Sequence, residues 1–102
     1  MSYRVRLIGF DDDASSGQAR LAEARYCRAL DESLGDAELV WPVYRAYRQL
    51  VALHGEAPDL EALDASEREL FSQWQAAESA ALAAALGSHR YMEDAEFEIR
   101  PA

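Results

Sequence analysis

Aromatic and arginine side chains are interleaved in the segment 39–55, which contains no acidic residue although acids crowd the segments on both sides. The candidate ligand-binding residues within it are Tyr44, Arg45, Tyr47 and Arg48. A guanidinium group binds a carboxylate or a phosphate through paired hydrogen bonds, and it also stacks on aromatic rings. These residue types therefore point to a small anion as ligand. The more common explanation of such a segment is a central core helix, with its tyrosines inward and its arginines paired to acids on neighbouring elements.

The charge balance of the chain is strongly acidic. It carries 19 acids against ten basic side chains, all of them arginine, and its formal net charge is −9. Such a surface repels phosphate backbones, so we expect no direct nucleic-acid binding. It favours basic protein partners, or imitation of nucleic acid toward a protein that normally binds it. The acids gather in the segments 11–13, 56–69 and 93–98. The candidate protein-interaction residues among them are Asp11, Asp12, Asp13, Glu93 and Asp94.

Several classes of chemistry lack the residues that they need. Because the chain has no lysine, it can form neither a Schiff base nor the lysine contact of a phosphate-binding P-loop. One cysteine and two histidines do not make a Cys/His zinc framework. Neither the GxGxxG nor the GxSxG pattern is present. We therefore expect no catalytic activity and no cofactor.

The remaining nucleophile and metal-ligand types are isolated from one another. Cys27 could pair with His54 or His89, but it lies among the apolar positions of a helix and is predicted to be a packed side chain. His89 lies near two acids without the spacing of a metal site on a helix. The run of three aspartates near the N-terminus lacks the alternating ligands, the glycine and the distal glutamate of an EF-hand loop. We expect no metal site.

Alternation of residue types predicts a strand near each end of the chain. In the segments 3–10 and 95–100, apolar residues alternate with charged ones. Opposite charges that face each other across strands contribute about 0.2–1 kcal/mol per pair. We therefore predict that the two strands pair with each other, and the charges fit either strand direction. The predicted neighbours are two arginines and two glutamates: Arg4, Arg6, Glu96 and Glu98.

Two shorter helices are predicted after the first strand. The first is capped by Ser15 or Ser16 and ends at a glycine. Its apolar positions recur every three or four residues: Leu21, Ala24, Cys27, Leu30 and Leu34. The second helix runs from Pro42, as its first helical residue, to about Leu53. The segment 37–41 is either an extra helical turn or an extended lead-in.

The third predicted helix is the longest. Asp64 and Glu67 form a capping-box pattern at its start, after a short helical turn over 59–63, and the helix extends to Leu86. Its packing face combines large residues with alanine: Leu70, Phe71, Trp74, Ala77, Ala81 and Ala85. Because alanine lets another backbone approach closely, we predict that the half 76–85 packs against another helix, either within the chain or in a second copy.

These elements predict a single α+β domain over 1–102, in the order β-α-α-α-β, with three helices packed on a two-stranded ribbon formed by the N- and C-terminal segments. Two strands alone are marginally stable and leave open edges, so we consider a homodimer as well as a monomer. No leader and no membrane-spanning run are apparent, which predicts a cytoplasmic protein. The absence of lysine, asparagine and threonine beside 20 alanines indicates a GC-rich bacterial source.

The composition and the missing motifs together favour a small, acidic, non-catalytic interaction or regulatory protein that acts by binding another protein. One alternative is an inhibitor from a mobile element that imitates nucleic acid, which requires the acids to project from one continuous face. The other alternative is a small-anion-binding domain, or a minimal enzyme, built on the arginine-tyrosine helix. It requires a concave pocket there.

Overall fold

The α+β architecture predicted from the sequence is confirmed. A computed structural model describes residues 3–8, 16–86 and 96–101. In chain order the elements are β1 (Tyr3–Ile8), α1 (Ser16–Leu34), α2 (Ala37–His54), a 3₁₀ turn (Leu60–Ala62), α3 (Ala65–Leu86) and β2 (Glu96–Pro101). The order is therefore β-α-α-α-β, and the two terminal strands pair into one sheet.

The two strands run antiparallel, a direction that the charge pattern alone left open. Tyr3 and Leu7 of β1 and Ile99 of β2 are buried on the face that meets the helices. Because side chains alternate along a strand, slipping the pairing by one residue would turn this apolar face outward. Burial of these three side chains therefore fixes the register.

The outer face of the ribbon carries the charged residues, and one predicted pairing on it is wrong. Arg6 lies directly opposite Glu98, as predicted. Arg4 instead lies opposite Arg100, and Glu96 lies opposite an isoleucine. The antiparallel register, set by the buried face, brings the last charged residue of β2 to the start of β1. Two arginines are therefore placed across from each other at this end of the ribbon.

The alanine-rich half of α3 packs within the chain. Ala77, Ala81 and Ala85 are buried, and the helix that they meet is α1, with its own buried Ala19 and Ala22. Small side chains on both helices let the two backbones approach closely. Of the two alternatives left by the sequence, packing against another helix of the same chain is therefore the one observed. Within the described part of the chain, no helix is long and apolar enough to cross a membrane.

The buried face of α1 differs from the predicted one. Leu30 and Leu34 are buried as expected, but the side chain of Leu21 is 51% exposed and Ala24 is exposed as well. The ring of Tyr26 takes their place in the core, stacked on Phe97 with ring centroids 4.1 Å apart. The first half of the buried face of α1 is thus formed by alanines and Tyr26, whereas the sequence pattern predicted Leu21 and Ala24 there.

The start of α2 is also corrected. The helix begins at Ala37, because Asp36 caps it by accepting a hydrogen bond from the backbone N–H of Glu38 over 3.0 Å. The segment 37–41 is thus helical, and Pro42 lies inside the helix instead of at its first position. Proline has no N–H to donate to the carbonyl one turn earlier, so a sequence pattern favours it as a boundary. The aspartate cap overrides that preference.

The start of α3 is confirmed. The backbone N–H of Asp64 donates to Glu67 Oε1 over 3.0 Å, and the backbone N–H of Glu67 donates to Asp64 Oδ1 over 2.8 Å. This is the reciprocal pattern of a capping box. The predicted packing face is buried except for Leu70, which is half-buried. A small second core of Leu50, Leu63 and Phe71 joins the ends of α2 and α3.

Candidate functional site

The arginine-tyrosine segment of α2 is divided between the core and the solvent. The ring of Tyr44 lies 5.0 Å from that of Trp74, and the ring of Tyr47 lies 6.0 Å from it, both measured between centroids. Arg45 and Arg48 are exposed, and neither forms an ion pair with a described residue. Burial raises the pKa of Tyr47 above its usual value, which agrees with an inward-facing ring. The tyrosines thus help to build the core and leave the arginines on its outer side.

The acidic candidates divide into two groups. Asp11, Asp12, Asp13, Glu93 and Asp94 lie outside the described residues, and so does His89. The acids of the segment 56–69 are described, and several of them have a local role: Asp59 accepts the N–H of Glu61, and the pair at the start of α3 forms its capping box. Helix capping therefore explains these positions without any partner.

The two ionisable side chains that could have made a nucleophile pair have other neighbours. His54 lies 4.0 Å from Glu67, between the imidazole Nε2 and a carboxylate oxygen. Cys27 lies on α1 beneath β1, and burial raises the pKa of its thiol. A raised pKa keeps the thiol protonated and weakly nucleophilic. Among the described residues, no three side chains of the metal-binding types gather in one place.

The outer edge of β1 is the most informative feature of the surface. The backbone N–H of Leu7 donates to Oε2 of Glu23 on α1 over 3.1 Å, so it points away from β2. In an antiparallel pair, alternate residues direct their N–H and C=O toward the partner strand or away from it. The backbone N–H and C=O groups of Tyr3 and Val5 therefore point away from β2, as those of Leu7 do. The proline opposite Tyr3 agrees with this, since it has no N–H to offer.

Three side chains of α1, spaced four residues apart, lie under this edge: Glu23, Cys27 and Asp31. The hydroxyl of Tyr3 donates to Asp31 Oδ1 over 2.6 Å and lies 3.2 Å from the carbonyl oxygen of Cys27. Tyr3 is fully buried, and this burial, together with the hydrogen bond to Asp31, raises its pKa well above the usual tyrosine value. Tyr3 thus fixes the start of β1 to the middle of α1.

A groove of about 480 Å³ runs between β1 and α1 and is called the β1 groove below. Arg4 and Val5 form its strand side, and Ala24, Cys27 and Arg28 form much of its helix side. A second depression of about 390 Å³ adjoins it, since both are lined by Arg4, Val5 and a glutamate of α1. The second one continues over the outer face of the ribbon. Together they follow the free edge of β1.

Charges of both signs line the β1 groove, namely Arg4 and Arg28 together with Glu23 and Asp31. Arg28 pairs with Glu32 over 3.1 Å, and Arg100 pairs with Glu98. Arg4 and Arg6 are exposed and form no ion pair with any residue that the structure describes. Arg4 and Arg6 thus lack an ion-pair partner among the described residues, although Glu98 lies across the ribbon from Arg6.

A third depression, of about 280 Å³, is lined by residues of α1, α3 and β2 and contains the carboxylates of Glu78 and Glu96. Glu78 accepts a hydrogen bond from Trp74 Nε1 over 3.1 Å and lies beside Tyr26. Its negative charge adds to burial in raising the pKa of the Tyr26 hydroxyl. Since Glu78 holds a core tryptophan in place, we interpret it as a structural residue.

The sequence indicated that the ribbon has open edges that a second copy could join, but it did not identify the edge of β1 as a candidate site. The spacing of Glu23, Cys27 and Asp31 placed them on one helix face, and this signal was available. Their relation to Tyr3 and Leu7 depends on how α1 crosses the strand, which no local pattern specifies.

No protein-family model, no curated protein and no solved structure is significantly similar to this chain. The chemistry of the β1 groove is therefore the basis for assigning a function.

Proposed function

We propose that this protein is a non-catalytic binding module that takes up an extended segment of another protein along the β1 groove. The observation that carries the proposal is the hydrogen bond from the Leu7 N–H to Glu23, because it shows that the edge of β1 faces outward. An outward strand edge binds peptides by adding a strand, with affinity supplied by main-chain hydrogen bonds.

The hydrogen-bonding groups of this edge are arranged for such an addition. Val5 directs its N–H and C=O away from β2, and Leu7 uses a side-chain carboxylate as a substitute acceptor. An incoming strand would exchange both bonds with Val5 and would replace Glu23 as the acceptor from Leu7. Each net backbone hydrogen bond contributes about 0.5–1.5 kcal/mol, so several are needed together.

The helix side of the groove supplies an apolar contact surface, which an isolated strand edge lacks. An added strand would lie over Ala24 and Cys27, whose small side chains leave room for an apolar residue of the ligand. Burying one such residue contributes about 1.5–3 kcal/mol. The hydrogen bond from Tyr3 to Asp31 holds strand and helix together before binding, so little ordering is required on association.

The test begins with selection of binders from a displayed library of random short peptides, followed by NMR mapping of the best binder. We expect the largest amide shift changes along Tyr3–Ile8 and along the turns of α1 beneath it. Ala24→Trp fills the groove and should abolish binding. The matched control is Ala80→Trp, since Ala80 is an exposed alanine on α3.

A second variant tests the backbone edge itself. Val5→Pro removes the outward N–H and leaves the ladder to β2 intact, because proline is tolerated on the free side of an edge strand. It should weaken the selected peptide at least tenfold, while circular dichroism shows that the protein is folded. Shift changes centred on α2 would contradict the proposal and favour the anion-binding alternative. Equal binding by the wild type and Ala24→Trp would contradict it as well.

A further inference from the structure

We infer that the segment bound along the β1 groove presents two carboxylates, two residues apart, to Arg4 and Arg6, and places an apolar side chain between them. The bound segment is thus an acidic–apolar–acidic stretch of a protein. The inference rests on the proposed function, since it describes the occupant of the same site.

The spacing follows from the strand. Arg4 and Arg6 are two residues apart, about 7 Å, and both are exposed on the outer face of the ribbon. On a strand added beside β1, the residues opposite them share that face, with Cβ atoms about 4.5–5.5 Å away. Glutamate or aspartate at those two positions reaches each guanidinium group in the paired geometry that arginine favours.

The charges of the site favour carboxylates over neutral residues. Arg4 lies opposite Arg100, and like charges directly opposite each other are destabilising. Two of the described acids near this edge are engaged: Asp31 accepts from Tyr3, and Glu98 pairs with Arg100. Glu23 accepts from Leu7 in the free protein, until an added strand replaces it. Carboxylates on the ligand would supply Arg4 and Arg6 with ion-pair partners that the described residues do not provide.

The residue between the two acids meets a different surface. This residue lies opposite Val5, whose side chain faces the helices. The side chain of the ligand residue therefore points into the β1 groove over Ala24 and Cys27. The volume of about 480 Å³ accommodates a valine or leucine. An acidic side chain there would lose hydration and would lie near the carboxylates of Glu23 and Asp31, which also line the groove.

A second copy of this chain fits the edge less well when its own β1 is the added strand. If two β1 strands paired antiparallel about a two-fold axis at Val5, Arg4 of one copy would lie opposite Arg6 of the other. Each such dimer would hold two arginine–arginine pairs at its centre, which is unfavourable. The strand β2 of a second copy carries Glu96 and Glu98 on either side of Phe97, but adding it to β1 would leave a free β1 edge on that copy and build an open-ended chain of copies. The occupant that we infer is therefore an acidic segment of a different protein.

The test uses three synthetic peptides of about nine residues with central triplets Glu-Val-Glu, Gln-Val-Gln and Glu-Asp-Glu, measured by fluorescence anisotropy. We expect the Glu-Val-Glu peptide to bind at least tenfold more tightly than either of the others, and to weaken as salt rises from roughly 50 to 250 mM. In the Arg4→Gln, Arg6→Gln double variant the preference for glutamate over glutamine should vanish. The matched control, Arg45→Gln with Arg48→Gln on exposed positions of α2, should retain it.

The possible failures are distinguishable. Equal binding of the Glu-Val-Glu and Gln-Val-Gln peptides, both lost in Ala24→Trp, would overturn the acidic pattern and leave the strand-addition site standing. Failure of all three peptides to bind below about 1 mM would overturn the inference, and a library-selected peptide that maps to α2 would overturn the proposed function too. A concentration-dependent dimer in sedimentation that Val5→Pro abolishes would identify a second copy as the occupant and overturn it as well.

Discussion

The backbone N–H of Leu7 is bound by the side chain of Glu23, an acceptor 16 residues away on α1 and not on the partner strand. The carboxylate occupies the place that the carbonyl of a third strand would take. It satisfies a donor that would otherwise be exposed at the sheet edge, and edge donors of this kind promote unwanted pairing. Glu23 thus stabilises the free protein and competes with a bound strand.

Replacement of Glu23 separates these two roles. Glu23→Ala removes the acceptor and should lower the free energy of unfolding by about 1–2 kcal/mol, because a hydrogen bond to a charged, part-buried group is lost. The same variant should bind the library-selected peptide more tightly, since no side chain has to leave. Glu23→Gln keeps an acceptor oxygen and should lose less than about 1 kcal/mol. Urea unfolding and peptide titration measure both effects, and weaker peptide binding by Glu23→Ala would contradict the competition.

Tyr3 should make the stability of the protein fall in alkaline solution. Burial and the bond to Asp31 raise its pKa above the unfolded value of about 10. The native state then holds a proton that the unfolded state releases, so stability is complete below pH 10 and declines as the pH rises beyond it, by about 1.4 kcal/mol per pH unit for one tyrosine. Urea unfolding at several pH values measures this decline.

Tyr3→Phe isolates the contribution of the hydroxyl group. At neutral pH the variant loses the hydrogen bond to Asp31 and should be less stable by about 1.5–3 kcal/mol. Above pH 10 the difference from the wild type should shrink, because phenylalanine has no proton to release on unfolding. Tyr26, whose pKa is also raised by burial, remains in both proteins and leaves some alkaline loss in each. A difference that stays constant up to pH 11 would show that Tyr3 titrates normally.

Features encoded by residues near one another in the sequence were predictable. Asp64 and Glu67 are three residues apart, so the capping box follows from local pattern and is confirmed by both of its hydrogen bonds. The buried face of α3 repeats with helical period and was predicted nearly residue by residue. Alternating strands at the two termini likewise indicated that they pair.

Features that depend on contacts between distant elements were not predictable. The buried face of α1 turns toward Tyr26 because its ring meets Phe97, 71 residues later in the chain. Which residue lies opposite Arg4 depends on whether the two strands run parallel or antiparallel, and the pattern of charges fits both directions. The candidate site at the edge depends on the position of Glu23 beneath β1 and on the direction of the Leu7 backbone N–H away from β2. Only the packed structure gives these two features.

Pro42 inside α2 should make the protein less stable than it would be with alanine at this position. Pro42→Ala restores an N–H donor to the carbonyl of Glu38, one turn earlier. Proline costs about 3 kcal/mol relative to alanine inside a helix, partly offset by its smaller unfolded-state entropy, so we expect a gain of about 1–2 kcal/mol. Pro58→Ala, outside the helices, should instead lose about 0.4–1 kcal/mol. Thermal and urea unfolding measure both, and a loss in Pro42→Ala would show that the core requires the helix shape that proline imposes.

Two neighbouring alanines of α3 test how closely it packs on α1. Ala81 is fully buried at this contact, whereas Ala80 is exposed. Ala81→Leu adds three carbon atoms where the helices meet and should lower the free energy of unfolding by about 1–3 kcal/mol through overpacking. Ala80→Leu adds the same atoms toward solvent and should change it by less than about 0.5 kcal/mol. Urea unfolding compares them directly. Equal stabilities of the two variants would mean that the α1–α3 contact yields to an added side chain, contrary to the close approach that alanine permits.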